Sequence, residues 1–128
     1  MPSWQELGID NLQAAKALLE TRLWRSSASR AYYAAYSVVA AEIVARNPKL
    51  AFRHGWRNPA HGDLPRYVRE LLGHLPSQTR RSINTNLRLL RHLREDADYR
   101  PHASVDRQVA LSSCRVASAV FQDLKVSE

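Results

Sequence analysis

Leucine, isoleucine, valine and alanine recur at three- and four-residue intervals through most of the chain, and no stretch keeps the strict apolar/polar alternation of a half-buried strand. The pattern predicts helices throughout. The first starts after Ser3, an N-cap residue with Glu6 three positions on to complete a capping box, and runs to about Arg22 with Leu7, Leu12, Ala15, Leu18 and Leu19 facing inward. The second begins near Ser26 or Ser27 and runs to Arg46, where Asn47 and Pro48 end it, so the two form a helical hairpin. From Asn47 to Gly62, two prolines and two glycines interrupt any period, and this is read as a loop. Asp63 then caps a short helix through Leu64, Tyr67, Val68, Leu71 and Leu72, which stops near Gly73 to Pro76. Ser77 or Ser82 opens a long helix in which Ile83, Leu87, Leu90, Arg94 and Ala97 keep a four-three spacing until Pro101 breaks it. Ser104 caps the last helix, whose inner face reads Val109, Cys114, Ala117, Val120, Phe121 and Leu124. The fold class expected is all-α: an antiparallel four-helix bundle with an additional short helix, forming one domain over residues 1–128.

Two places put polar groups where that pattern wants apolar ones. Ser29 to Tyr36 sets an arginine and three tyrosines among alanines. On a helix, Arg30, Tyr33, Ala34, Ser37 and Ala41 share one face while Tyr32, Tyr36, Val39 and Ile43 share the next. A buried tyrosine hydroxyl needs a partner, so these are either core tyrosines bonded to helix carbonyls or the lining of a ligand pocket. The second place is Arg94, in the apolar stripe of the long helix. An inward guanidinium must be paired, and Asp98 at i+4 and Glu42 on the second helix are the partners within reach. Two roles fit: a buried structural ion pair, or an arginine holding a phosphate while Asp98 fixes its fork.

Charge sharpens the second role. The net charge is +7 and the basic residues are nearly all arginine, with only Lys16, Lys49 and Lys125 as lysines. Arginine's planar fork suits phosphates and stacks on bases, although a GC-rich genome also replaces lysine with arginine. The arginines crowd into the second half, from Arg53 to Arg115, which makes a nucleic-acid surface there a candidate. The lone Cys114, at an apolar helical position, reads as a small core residue rather than a nucleophile. No apolar run reaches the length of a membrane span, and the first residues lack a basic segment followed by an apolar one, so a cytoplasmic protein is expected. His54, His61, His74, His92 and His102 show no metal-ligand spacing, there is no glycine-rich phosphate loop, and neither a metal nor a cofactor is expected.

Candidate chemistry falls in the loop. Arg57, Asn58 and His61 stand within a few residues of one another. Histidine titrates near neutral pH and arginine stays charged, so together they suit phosphodiester cleavage that needs no metal: His61 would move the proton of a ribose 2'-hydroxyl while arginine stabilises charge on the phosphate oxygens. An exposed loop carrying His and Arg without any reaction is the plain alternative.

Three segments in order carry a resemblance: Ser29 to Tyr36 in the second helix, Ala60-His61-Gly62 before the third, and Arg94 with Ala97-Asp98-Tyr99 at the end of the long helix. In these the chain resembles the small prokaryotic HEPN proteins (higher eukaryotes and prokaryotes nucleotide-binding), and the likeness spans nearly the whole chain. It implies a helical bundle, a homodimer, and association with RNA or nucleotide. Many members are metal-independent ribonucleases, often toxins paired with a nucleotidyltransferase antitoxin or parts of defence systems; others only bind. The resemblance implies His61, Arg57 and Arg94 as catalytic residues, with Arg30, Tyr33, Asn58, Asp98 and Tyr99 binding nucleotide or RNA. The family's catalytic signature places four to six residues between Arg and His. Here Arg57 and His61 are separated by three, and Arg69 to His74 has a four-residue gap without the usual asparagine. A non-catalytic helical module that dimerises and binds a partner protein is the alternative, and a purely structural polar network is the plainest one.

Overall fold

A computed structural model describes residues 2–128, and its regular elements are helical: α1 Trp4–Glu20, α2 Trp24–Arg46, α3 Leu64–Leu71, α4 Ser77–Tyr99 and α5 Arg107–Asp123, with a single 3-10 turn at Arg53–Gly55. The chain is all-α, as its periodicity predicts. α1 opens with the expected capping box, the Ser3 hydroxyl accepting from the Glu6 amide at 3.1 Å and the Glu6 carboxylate from the Ser3 amide at 2.9 Å. It ends at Glu20, two residues short of the expected end, because Arg22 turns the chain with a left-handed φ of 62°.

α2 is the centre of the helical bundle. It packs on α1, α3, α4 and α5, and its alanines at 28, 31, 34, 35 and 40 are fully buried, which lets the neighbouring backbones approach closely. The closest approach is at Gly8 of α1: a Cβ built there would lie 2.5 Å from Val38 Cγ1 and 3.1 Å from the Ala34 carbonyl oxygen. The serines expected to cap α2 do not. The helix starts earlier, at Trp24, and Ser27 is buried inside it, donating to the Ala15 carbonyl of α1 at 2.7 Å. A small hydroxyl at a tight crossing satisfies itself on a backbone carbonyl, and sequence alone does not separate that role from a cap.

The other caps are corrected in the same way. Asp63 precedes α3 but gives it no side-chain cap; its carboxylate accepts instead from Arg53 at 2.8 Å. Pro76 holds the N-cap position of α4, with Ser77 as the first helical residue. α5 is capped by Asp106 rather than Ser104, its carboxylate accepting from the Val109 amide at 3.1 Å. Within α4, Ile83, Leu87, Leu90, Arg94 and Ala97 are all buried. Cys114 is buried beside the Ser27 hydroxyl, and burial pushes its thiol up, away from the thiolate.

One side chain fixes the end of α4. The last carbonyls of a helix have no partner inside it. Arg25 of α2 supplies them: Nη1 donates to Asp96, Ala97 and Arg100, and Nη2 to Pro101 and Ala103, at 2.7–3.1 Å.

Candidate functional site

The octet tyrosines neither fill the core passively nor bond to helix carbonyls. They seat the loop. Tyr36 donates to the Pro59 carbonyl at 2.5 Å and accepts from the Asn58 amide at 3.0 Å, while the Tyr32 hydroxyl meets His61 Nδ1. The His61 ring is enclosed by three tyrosines, with centroid separations of 4.5 Å to Tyr36, 5.5 Å to Tyr32 and 6.0 Å to Tyr33. A loop of this length is thereby held by side chains of the central helix, which pins the imidazole.

With Nδ1 engaged by Tyr32, Nε2 is the ring nitrogen without a partner among the described residues. His61 lies between two hollows. One, about 360 Å³, is lined by Asn11, Arg30, Tyr33, Tyr36, Asn58 and His61, with Trp4, Leu7 and Ser37 completing it. The other, about 40 Å³, brings His61 beside Tyr32, Leu87, Arg88 and Arg91. Burial lowers the proton affinity of His61 below its ordinary value, and the charges of Arg94 and then Arg91 lower it further. All three effects favour the neutral imidazole. Burial also raises the Tyr32 hydroxyl well above its usual range, so it stays protonated and can take either hydrogen-bonding role towards Nδ1.

Arg94 is 8 % exposed, and its guanidinium carbon sits 5.3, 5.6 and 5.4 Å from the ring centroids of Tyr32, Tyr33 and Tyr99. Its Nη1 donates to the Tyr99 hydroxyl at 3.3 Å and the Tyr33 hydroxyl at 3.5 Å and lies 3.7 Å from Asp98, the i+4 partner expected; Nε is buried without a partner. Glu42 does not pair with it. That carboxylate belongs to Arg46 at 2.8 Å and His74 at 3.1 Å. Asp98 also accepts from Ser29 at 3.0 Å, so the first residue of the octet joins the end of α4.

Arg30, Tyr33 and Ser37 line one hollow, as their shared face predicts, but Arg94 stacks against Tyr32 and Tyr33 together, across the two faces, while the exposed Arg30 turns to Asn11 at 3.2 Å. Arg30, Tyr33, Asn58 and His61 share the larger hollow, and Arg94, Asp98 and Tyr99 adjoin it through Tyr33. Arg57 is exposed, with no ion pair or hydrogen bond to any described residue. Sequence reasoning missed Arg25 and Arg91. Arg91 had a legible signal: it lies three residues before Arg94, so the two share a helix side. Among the described residues, no group of three or more His, Cys, Asp or Glu is placed to hold a metal ion.

An all-helical fold with a tyrosine-enclosed histidine between arginines defines the class, and comparison with known families agrees. The HEPN domain family matches residues 1–127, and the chain belongs to that family. Membership supports a function connected with nucleotides or RNA in general terms. No curated protein and no solved structure matches the chain significantly. No helix among the described residues is long and apolar enough to cross a membrane.

Proposed function

We propose that this HEPN domain binds RNA in the hollow at His61 and cleaves it without a metal. The observation that carries the reading is the imidazole itself: fixed through Nδ1 by Tyr32, its Nε2 without a partner among the described residues, and on the wall of a hollow it shares with Arg30 and Asn58. When Nδ1–H donates to the Tyr32 oxygen, Nε2 carries a lone pair and removes the proton of a ribose 2'-hydroxyl. The 2'-oxygen attacks the adjacent phosphorus, the bond to the 5'-oxygen breaks, and that oxygen leaves with a proton from water. Arg30 and Arg91 favour the charge that grows on the phosphate oxygens. Tyr99, 68 % exposed and tethered by Arg94, offers a ring on which a base stacks. Arg94 acts through its field and through the tyrosines it orders, not by gripping substrate. The proposal extends to a single domain over the whole chain, a homodimer, a cytoplasmic setting and a nucleotidyltransferase antitoxin as partner.

The test is cleavage of single-stranded RNA in chelator-containing buffer. His61→Ala is expected to remain folded, with a melting temperature lowered by roughly 4–12 °C as the Tyr32 hydroxyl loses its partner, and to lose cleavage below that temperature; undiminished cleavage in that variant sinks the catalytic reading. A second reading, an RNA-binding module without turnover, is favoured by the enclosure of Arg94 and by the lining of the hollow, which includes Asn58 and His61 but not Arg57. It predicts that wild-type protein binds RNA and leaves it intact.

A further inference from the structure

A second hollow, of about 410 Å³, lies along the N-terminal half of α4 against the end of α3, away from the Tyr33 and Asn58 wall. Arg69, Arg80, Arg81 and Arg88 line it together with Asn84 and Thr85, and no acidic residue takes part. None of these four guanidinium groups has a carboxylate partner among the described residues. The acidic groups on or flanking α3 and α4 are engaged elsewhere, Asp63 by Arg53, Glu70 by Arg66, Glu95 by Arg91, Asp96 by Arg100 and Asp98 by Arg94, while Asp123 of α5 accepts from Ser82. A surface meant only to be soluble interleaves both signs, and four unneutralised arginines around one concavity repel one another. Beneath them, Asn84 is 5 % exposed, donating to the Pro65 carbonyl at 3.0 Å while its Oδ1 lacks a partner, as does Arg80 Nε.

The hollow leads somewhere. Arg80, Asn84, Arg88 and Arg91 follow at intervals of four, four and three, so they form one stripe on α4. At a rise of 1.5 Å per residue the stripe is about 16 Å long, more than a single nucleotide covers. Arg88 belongs to both ends: it lines this hollow and also the small one that holds His61 and Arg91.

We infer that this arginine-lined hollow and the stripe leading from it form a track for the phosphate backbone of single-stranded RNA, carrying the strand that flanks the phosphodiester held at His61. The inference rests on the reading of the His61 hollow as an RNA site, and it adds that the ligand is a strand of several nucleotides rather than a mononucleotide. Guanidinium groups spread over the hollow and along the stripe meet successive phosphates, a contact that carries no base preference.

The experiment compares wild type with Arg69→Gln/Arg81→Gln, which removes two exposed charges at the end remote from His61 and touches no side-chain hydrogen bond recorded in the fold. A labelled twelve-nucleotide RNA, a dinucleoside monophosphate and poly-glutamate are titrated over a range of salt. For the long RNA, affinity is expected to fall roughly 25-fold at 0.1 M salt, and the salt slope to shrink by about 1.4 for two lost contacts. Binding of the dinucleoside monophosphate is expected to stay unchanged. Unchanged affinity for long RNA in the double variant overturns the track while leaving the His61 reading intact. Failure of wild type to bind either RNA overturns both. Poly-glutamate bound as tightly as long RNA, and lost alike in the variant, reassigns the hollow to acidic proteins and overturns the inference.

Discussion

Arg25 is one residue on which both the stability and the site depend, and replacing it with alanine gives a sharp test. The substitution removes the guanidinium donor from five carbonyls at once, of which Asp96 keeps the Arg100 amide and Arg100 the Ala103 amide. Those of Arg100 and Pro101 lie in exposed surroundings, where water takes over at little cost, while the bonds to Asp96, Ala97 and Ala103 are partly buried. A hydrogen bond from a charged donor contributes about 1.5–3 kcal/mol net when made singly, but three sharing one guanidinium are not additive. About 3 kcal/mol is therefore expected, which lowers the melting temperature by roughly 12 °C in a domain of this size. Arg25→Lys keeps the charge but concentrates its donors on one nitrogen, so it should recover no more than about half. Urea unfolding with an unchanged slope measures the loss, and amide exchange should show it concentrated at the C-terminal turn of α4. If alanine costs less than about 0.5 kcal/mol, or lysine equals arginine, water caps this helix as well as the guanidinium does and the reasoning fails.

Three further outcomes are expected. Gly8→Ala gains about 1 kcal/mol of helix propensity, yet the new methyl meets Val38 Cγ1 at 2.5 Å, and a β-branched side chain in a helix cannot swing aside. The net effect should be a loss of about 1–2 kcal/mol by urea unfolding, and a stabilised variant would refute the close α1/α2 contact. Asp106→Ala should cost about 1 kcal/mol and Ser104→Ala less than about 0.5 kcal/mol, since only the aspartate caps α5; equal losses would contradict that assignment. The lowered proton affinity of His61 means that the unfolded chain binds a proton first as pH drops. Its stability contribution is full above the ordinary 6.5 and is lost as pH falls through the lower folded value, and a His61→Gln variant should lack that part of the acid slope in melting curves.

The outer helices were legible because burial on one side imposes a 3.6-residue period, whereas α2, buried without a break from Ala34 to Ala40, was legible from its alanine-rich run and the Asn47-Pro48 stop. The long loop was legible too, since prolines and glycines break that period. Caps were not. Ser27, Ser104 and Asp106 carry similar local signals, and only the tertiary neighbour decides whether a hydroxyl bonds its own helix end or a carbonyl across the core. The partner of Arg94 was legible when local, as Asp98, and misread when distant, as Glu42, because i+4 geometry follows from the helix while cross-helix register does not. Arg25 escaped notice for a related reason: its partners are backbone carbonyls some seventy residues away, and carbonyls carry no sequence signature.

The structural and functional readings of Arg94 are therefore not rivals. Its guanidinium is walled in by three tyrosines, so it cannot offer a phosphate the open two-pronged fork that bidentate recognition requires. A charge needs no contact to be felt, however, and in a poorly screened interior its influence extends further than in water. Arg94 lies against the ring of the very tyrosine that holds His61, and after burial its charge is the largest influence lowering the proton affinity of that imidazole. A phosphate arriving beside His61 would offset this field and raise the proton affinity of the histidine. A base that takes up a proton more readily once its substrate is bound is what the proposed cleavage needs. By linkage, RNA should bind more tightly as pH falls through the His61 transition, while cleavage, which requires the neutral ring, declines over the same interval.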